Sequence, residues 1–171
     1  MIISVERLKE FIITDVSDSV LEARLQALET SIRNKTHNDF QNRRFRTYAD
    51  VENGIVKCRN SGLFNVGDTI MVESNLVVIT DISDAELTVS ESIPDDTNVL
   101  VTKVVYPKDI VLGVIDVMSW ILKNPSEKAG ISSETLSRHS VSYQGNSEFD
   151  SDIGCPVRLL SFLNQYKKAR F

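Results

Sequence analysis

Apolar residues recur at helical spacing through the first part of the chain. Ser4 is placed to cap a short helix with Val5, Leu8 and Ile12 as its apolar positions. A polar break over 14–19 follows, and Ser19 with Glu22 has the spacing of a capping box. The next helix carries Leu21, Leu25, Leu28 and Ile32, one narrow apolar stripe on a charged rod, and should end near 36–38. After Phe45 the period changes from helical to alternating. Short β-branched runs at 54–59, 69–73, 76–82, 86–90 and 99–105 predict five strands. Asn53-Gly54, Ser61-Gly62, Gly67-Asp68, Ser74-Asn75 and Pro94-Asp95-Asp96 supply turns between them. Strands this short and close together predict a small barrel or a strongly twisted sheet.

Pro107 then opens a helix, with Asp109 near the positive end of its dipole. Ile110, Val111, Val114, Ile115, Val117, Met118, Ile121 and Leu122 cover a broad arc of it, while Leu112 and Trp120 fall outside. So apolar a helix should be central, and Pro125 should end it. Residues 140–143 read as a strand or an extended arm, and 144–153 as a loop rich in small and acidic residues. Pro156 starts a last helix. At a period of 3.6, its Val157, Leu159, Leu160, Phe162, Leu163 and Tyr166 spread around too much of the surface for one neighbour to cover. The fold class this predicts is α+β. A helical bundle is built from the N- and C-terminal segments (1–46 plus 106–171), with a small β-barrel-like or twisted-sheet module (47–105) inserted.

Composition narrows the function classes. With 171 residues, 42% of them apolar, the chain can bury a core. A net charge of −5 argues against sequence-independent coating of nucleic acid, which needs a basic surface to release counterions. The two cysteines, Cys58 and Cys155, form no CxxC pair, so a reduced history and assembly in a cytoplasm are expected. The longest apolar stretch, 110–122, contains Asp116 and falls short of membrane-spanning length, so no membrane partner is expected. Residues 1–10 lack the basic start and small-residue cleavage site of a signal peptide.

Candidate chemistry is sparse, and no catalytic residue, cofactor or metal is expected. His37 and His139 sit in no HExxH motif, and nothing places either beside a cysteine. The stretch 62–67 lacks the lysine and hydroxyl of a phosphate loop. Asp81, Asp84 and Glu86, like Asp95 and Asp96, lack the glycine and terminal glutamate of a calcium loop. Two basic stretches remain. Arg43, Arg44 and Arg46 surround Phe45 at the junction before the β region, where they can meet a nucleic acid or pair with acidic neighbours. Lys167, Lys168, Arg170 and Phe171 end the chain, where they can favour the helix dipole or dock on an acidic partner.

Several stretches taken together resemble a known family. They are Val5-Glu6-Arg7-Leu8-Lys9, the Arg43-Arg44-Phe45 junction, and Ser61-Gly62-Leu63-Phe64-Asn65-Val66-Gly67-Asp68-Thr69-Ile70. They continue with Val104-Val105-Tyr106-Pro107-Lys108-Asp109-Ile110, Glu134-Thr135-Leu136-Ser137, Ser140-Val141-Ser142-Tyr143 and the run 154–166. In this order they resemble the bacteriophage head–tail connector proteins, the adaptor or head-completion family, in the form with a β insertion. The likeness covers most of the chain in layout, through turns and helix starts rather than catalytic signatures.

The resemblance implies a structural virion protein that forms a ring of about twelve copies beneath the portal after DNA packaging. Such a ring extends the DNA channel and offers a platform to a stopper or tail-completion protein. Its partners would be itself and the portal protein, with DNA passing through unbound. By the same likeness, Leu160, Leu163, Tyr166, Lys167, Lys168, Arg170 and Phe171 would dock on the portal. Ser140, Val141, Ser142 and Tyr143 would meet neighbouring subunits, and Trp120, outside the apolar arc of its own helix, is a further residue expected at that contact. Three alternatives stand beside this. One is a nucleic-acid-binding or packaging accessory using the β region, disfavoured by Lys57, Arg59 and Lys103 facing ten carboxylates over 48–105. The others are an enzyme of unrecognised type and a mostly-β virion part such as a stopper or tail terminator.

Overall fold

A computed structural model describes residues 1–124, 133–136, 139–142 and 149–169. The chain divides into two compact units, Met1–Asn38 with Pro107–Phe171, and Asp39–Tyr106.

In the first unit, α1 spans Val5–Lys9 and α2 spans Asp18–Thr36. The Ser4 hydroxyl caps α1 by accepting from the Arg7 N–H at 3.3 Å. The second helix starts one residue before the expected Ser19 cap. Ser17 precedes it and makes no side-chain cap bond, so the proposed capping box is not formed. The four stripe residues of α2, Leu21, Leu25, Leu28 and Ile32, are all buried. His37 ends the helix in the left-handed conformation at φ 48°. The third helix, α3, spans Lys108–Lys123 and buries Ile110, Gly113, Val114, Ile115, Val117 and Met118.

The second unit is all β. Its strands are β1 (Gln41–Glu52), β2 (Ile55–Cys58), β3 (Thr69–Val72), β4 (Asn75–Ser83), β5 (Glu86–Val89) and β6 (Asp96–Val104). They close into an antiparallel barrel in the order β1-β2-β5-β4-β3-β6, so every strand is paired on both sides. Asn53 and Gly54, at φ 53° and 76°, make the two-residue turn from β1 to β2, a conformation that favours asparagine and glycine. The interior is filled by Val56, Ile70, Val72, Ile79, Leu87, Val101 and their neighbours.

The rest of the first unit is not a bundle, and this corrects the expected fold class. The dominant element of the molecule is the six-stranded antiparallel sheet, in a mixed α/β architecture. Between α3 and the C-terminus lie two small two-stranded pieces. One pairs β7 (Ser133–Leu136) with β8 (His139–Ser142), and the other pairs β9 (Phe149–Asp150) with β10 (Cys155–Pro156). The last segment, Val157–Tyr166, winds as a 3-10 helix instead of an α-helix. Its tighter turn aligns residues at every third position, so Leu160, Leu163 and Tyr166 stand in one row. The two leucines are buried, at 7% and 2% exposure. The apolar excess read from this segment came from applying the wrong helical period. Packed against α2, α3 and β10, the segment hides its leucines within its own unit.

A second correction concerns 41–46. These residues, expected as a junction, form the start of the longest strand, β1. Repeated arginines hide that strand from a pattern of alternating hydrophobicity.

Candidate functional site

An open cleft of about 600 Å³ lies in the helical unit. Ile2, Ile3 and Phe11 line it from the N-terminal segment, and Val111, Leu112 and Ile115 from α3. Arg7 and Lys108 stand at its polar side. The turn after α1 brings Phe11 here: the Phe11 and Ile12 amides donate to the Leu8 carbonyl, and Ile12 is buried while Phe11 faces outward. On α3, Val114 and Met118 turn into the core, which leaves Leu112 on the opposite side. Phe11 and Leu112 are each 57% exposed, and Ile13 is wholly exposed. Ile2, Ile3 and Ile115 are buried and Val111 is half-buried, so Phe11 and Leu112 are the exposed apolar residues of the cleft wall. Leu112 was legible in the sequence as a residue outside the buried arc. Phe11 carried no such signal beside Ile12.

The C-terminal segment is clamped to its own unit. The Tyr166 hydroxyl donates to Asp109, 2.7 and 2.8 Å from its two carboxylate oxygens, and the Gln165 amide donates to Asp109 Oδ2 at 2.6 Å. Bonding to the Asp109 carboxylate holds the phenol above its ordinary pKa. The Asn38 amide donates to the Tyr166 carbonyl at 3.2 Å, and the Lys168 amide to the Thr36 carbonyl at 2.8 Å. Of the expected docking residues, Leu160 and Leu163 are therefore core, Tyr166 is a latch, and Lys167 and Lys168 are exposed. Arg170 and Phe171 lie outside the described residues.

Trp120 is partly buried and packs edge-on against Phe149, with ring centroids 5.6 Å apart. Ser140, Val141 and Ser142 lie in β8, paired with Thr135, Glu134 and Ser133 of β7. Tyr143 lies outside the described residues. The structure thus divides the expected inter-subunit residues between two different elements.

Arg43, Arg44 and Arg46 are all exposed on β1, and among the described residues none has an ion-pair partner. They raise the basic residues of the barrel unit to six, against eleven acidic ones, so it stays net negative. Lys103 pairs with Asp68 at 2.6 Å and lies 5.6 Å from the centre of the Phe45 ring.

Both cysteines are buried. Burial pushes the Cys155 thiol up to about 11 and also raises Cys58, whereas a reactive cysteine needs its pKa lowered. Among the described residues no group of three His, Cys, Asp or Glu is placed to hold a metal ion, and no helix is long and apolar enough to cross a membrane.

No family model and no curated protein matches this chain.

Proposed function

We propose that the protein is a non-enzymatic structural subunit that works by assembly, as the head–tail connector of a tailed bacteriophage. The observation that carries this reading is the open apolar cleft between the N-terminal segment and α3, with Phe11 and Leu112 more than half exposed at its wall. A ring needs two different patches on each subunit, one to receive and one to insert. The cleft is a receiving patch, and a neighbouring copy is the occupant proposed for it. The layout resemblance set out above supplies the setting: a ring below the portal, a channel for DNA, and a platform for a stopper or tail-completion protein. The exposed Lys167 and Lys168 are the portal-facing groups that remain once Leu160 and Leu163 are assigned to the core. Net negative charge suits a channel wall that DNA must slide past.

Electron microscopy of the protein mixed with a tailed-phage portal ring tests this reading. A ring of added density below the portal is expected. Phe11→Asp with Leu112→Asp should remove it, because two charges in the cleft oppose burial. A wild-type sample that leaves the portal bare, or a double variant that decorates it normally, contradicts the proposal.

A second reading, a nucleic-acid accessory module, rests on the three exposed arginines beside Phe45 and Tyr48. It predicts salt-sensitive DNA binding that Arg43→Glu, Arg44→Glu and Arg46→Glu abolish together in a gel-shift assay.

A further inference from the structure

Charge is divided unevenly over the chain. The helical unit carries thirteen acidic and thirteen basic residues, so the net charge of −5 belongs to the barrel unit. Within the barrel, carboxylates gather at one end. The Asn53 amide donates to Asp95 Oδ1 at 2.7 Å, and the Asn98 amide to Asp50 Oδ1 at 2.8 Å. These bonds tie the β1–β2 turn to the loop between β5 and β6. Asp50, Glu52, Glu91, Asp95 and Asp96 are all exposed there, and Lys57 pairs with Glu52 at 2.6 Å. The chain enters the barrel at the start of β1 and leaves it at the end of β6, so this end lies opposite both crossings.

The loop at this end is held firmly. Ile93 is buried and anchors it in the barrel core, while Pro94, Asp95 and Asp96 face water. The proline fixes its own φ and the Asn53 bond holds Asp95, so little conformational freedom is left to lose on binding. The cleft of the helical unit has the complementary chemistry. Arg7 and Lys108 are exposed on it. Among the described residues neither has an ion-pair partner, and none that lines the cleft carries a carboxylate. Lys108 and Leu112 are four apart on α3, about 5–6 Å between Cβ atoms. Arg7 and Phe11 are also four apart, across the end of α1. Each exposed apolar residue of the cleft wall thus has a cation near it. In the loop, Asp96 lies two residues beyond Pro94, at most about 7 Å away.

We infer that the element inserted into the cleft is this loop of a neighbouring copy. The Pro94 ring lies against Phe11 and Leu112, and the Asp95 and Asp96 carboxylates lie beside Arg7 and Lys108. The inference rests on the reading of the cleft as a receiving patch, and it supplies the inserting patch that a ring also needs. Apolar burial provides the affinity, and charge selects the occupant and its orientation. The contact is heterologous, with the cleft on the helical unit and the loop on the barrel. A pair of copies therefore keeps one cleft and one loop free, and growth continues past a dimer until a ring closes. Charge also favours a second copy over a nucleic acid, which would gain only two cations here and so release few counterions.

Sedimentation velocity of the full chain at physiological salt, over a range of concentrations, tests it. Wild type should pass through dimers to trimers and larger species. Arg7→Glu with Lys108→Glu should lower the association constant roughly tenfold or more, and so should Asp95→Lys with Asp96→Lys, because each sets like charges together. Asp95 also holds the Asn53 amide, so Asp96→Lys alone serves as the gentler loop variant. Mixing the two charge-reversed variants should restore association, since each cleft then meets a loop of opposite sign. Pro94→Cys chains mixed with Leu112→Cys chains should form a mixed disulfide under mild oxidation, the native Cys58 and Cys155 being buried. A wild type that stays monomeric, or that stops at a dimer, overturns the proposal. So does association that survives either charge reversal, a variant mixture that fails to associate, or DNA binding through Arg7 and Lys108 without self-association. Portal decoration is scored separately. Decoration that survives Asp96→Lys removes this contact and leaves the connector reading standing, whereas self-association of the expected kind beside a bare portal does the reverse.

Discussion

At the scale of single residues, three groups carry charge arrangements with measurable consequences. Lys35 lies 2.8 Å from Asp150 and 2.9 Å from Asp152, and its bond to Asp150 is the main cause of its raised pKa. Burial alone would raise Asp150, but the Lys35 ammonium and the Ile153 and Asp152 N–H groups outweigh it and hold the carboxyl below its ordinary value. The unfolded chain therefore takes up this proton first as pH falls. The stability from Asp150 is complete above its unfolded pKa and disappears as pH drops through the lower folded one. Lys35→Met should cost about 1–2 kcal/mol near neutrality, and much less in acid, as measured by denaturant unfolding. Tyr166 has the opposite sign. Its phenol is held above its ordinary pKa by the bond to Asp109, so its contribution is complete below the unfolded value and fades as pH rises through the folded one. Tyr166→Phe should weaken the fold at neutral pH and remove that alkaline loss, which thermal melts at several pH values would detect. Cys155, at about 11, should resist alkylation in the native state at neutral pH and react on unfolding, a difference that mass spectrometry reads directly.

At the scale of elements, Gly113 shows how packing overrides propensity. Replacing an interior helical glycine with alanine ordinarily stabilises by roughly 0.5–1 kcal/mol. Here a Cβ would overlap the Phe162 ring, which lies directly on the α3 backbone. Displacing that ring costs about 1–3 kcal/mol, so steric loss wins. Gly113→Ala should destabilise in chemical denaturation, and in a Phe162→Ala background the sign should reverse, alanine then being the more stable by about 0.5–1 kcal/mol. Much of this level was legible in the sequence. The stripe Leu21, Leu25, Leu28 and Ile32 was readable because its period is helical and its other faces are charged. Strands β2 to β6 were readable from β-branched runs between turn residues such as Asn53-Gly54. Strand β1 was not, because Arg43, Arg44 and Arg46 conceal a strand whose inward residues begin only at Ala49. The C-terminal segment was misjudged for a related reason: Leu160, Leu163 and Tyr166 align at a period of three but scatter at 3.6. In the site, Leu112 was visible as an outlier of its helix. Its partner Phe11 depends on a turn the sequence does not announce.

At the scale of the whole molecule, each unit closes its own core. The barrel pairs all six strands in a ring and leaves no free edge, and the helical unit folds its C-terminal leucines under its own helices. The case for assembly therefore rests on surface left over after each core is complete. That surface is the cleft, where Phe11 and Leu112 remain open to water. Assembly through it should be insensitive to salt, because apolar burial is not screened.

The most direct measurement is the mass, by light scattering after size exclusion, of the full chain titrated onto a tailed-phage portal ring. A fixed stoichiometric complex, lost when Phe11 and Leu112 both become aspartate, is the predicted result. Free chain and bare portal eluting apart at every ratio would contradict the proposed function.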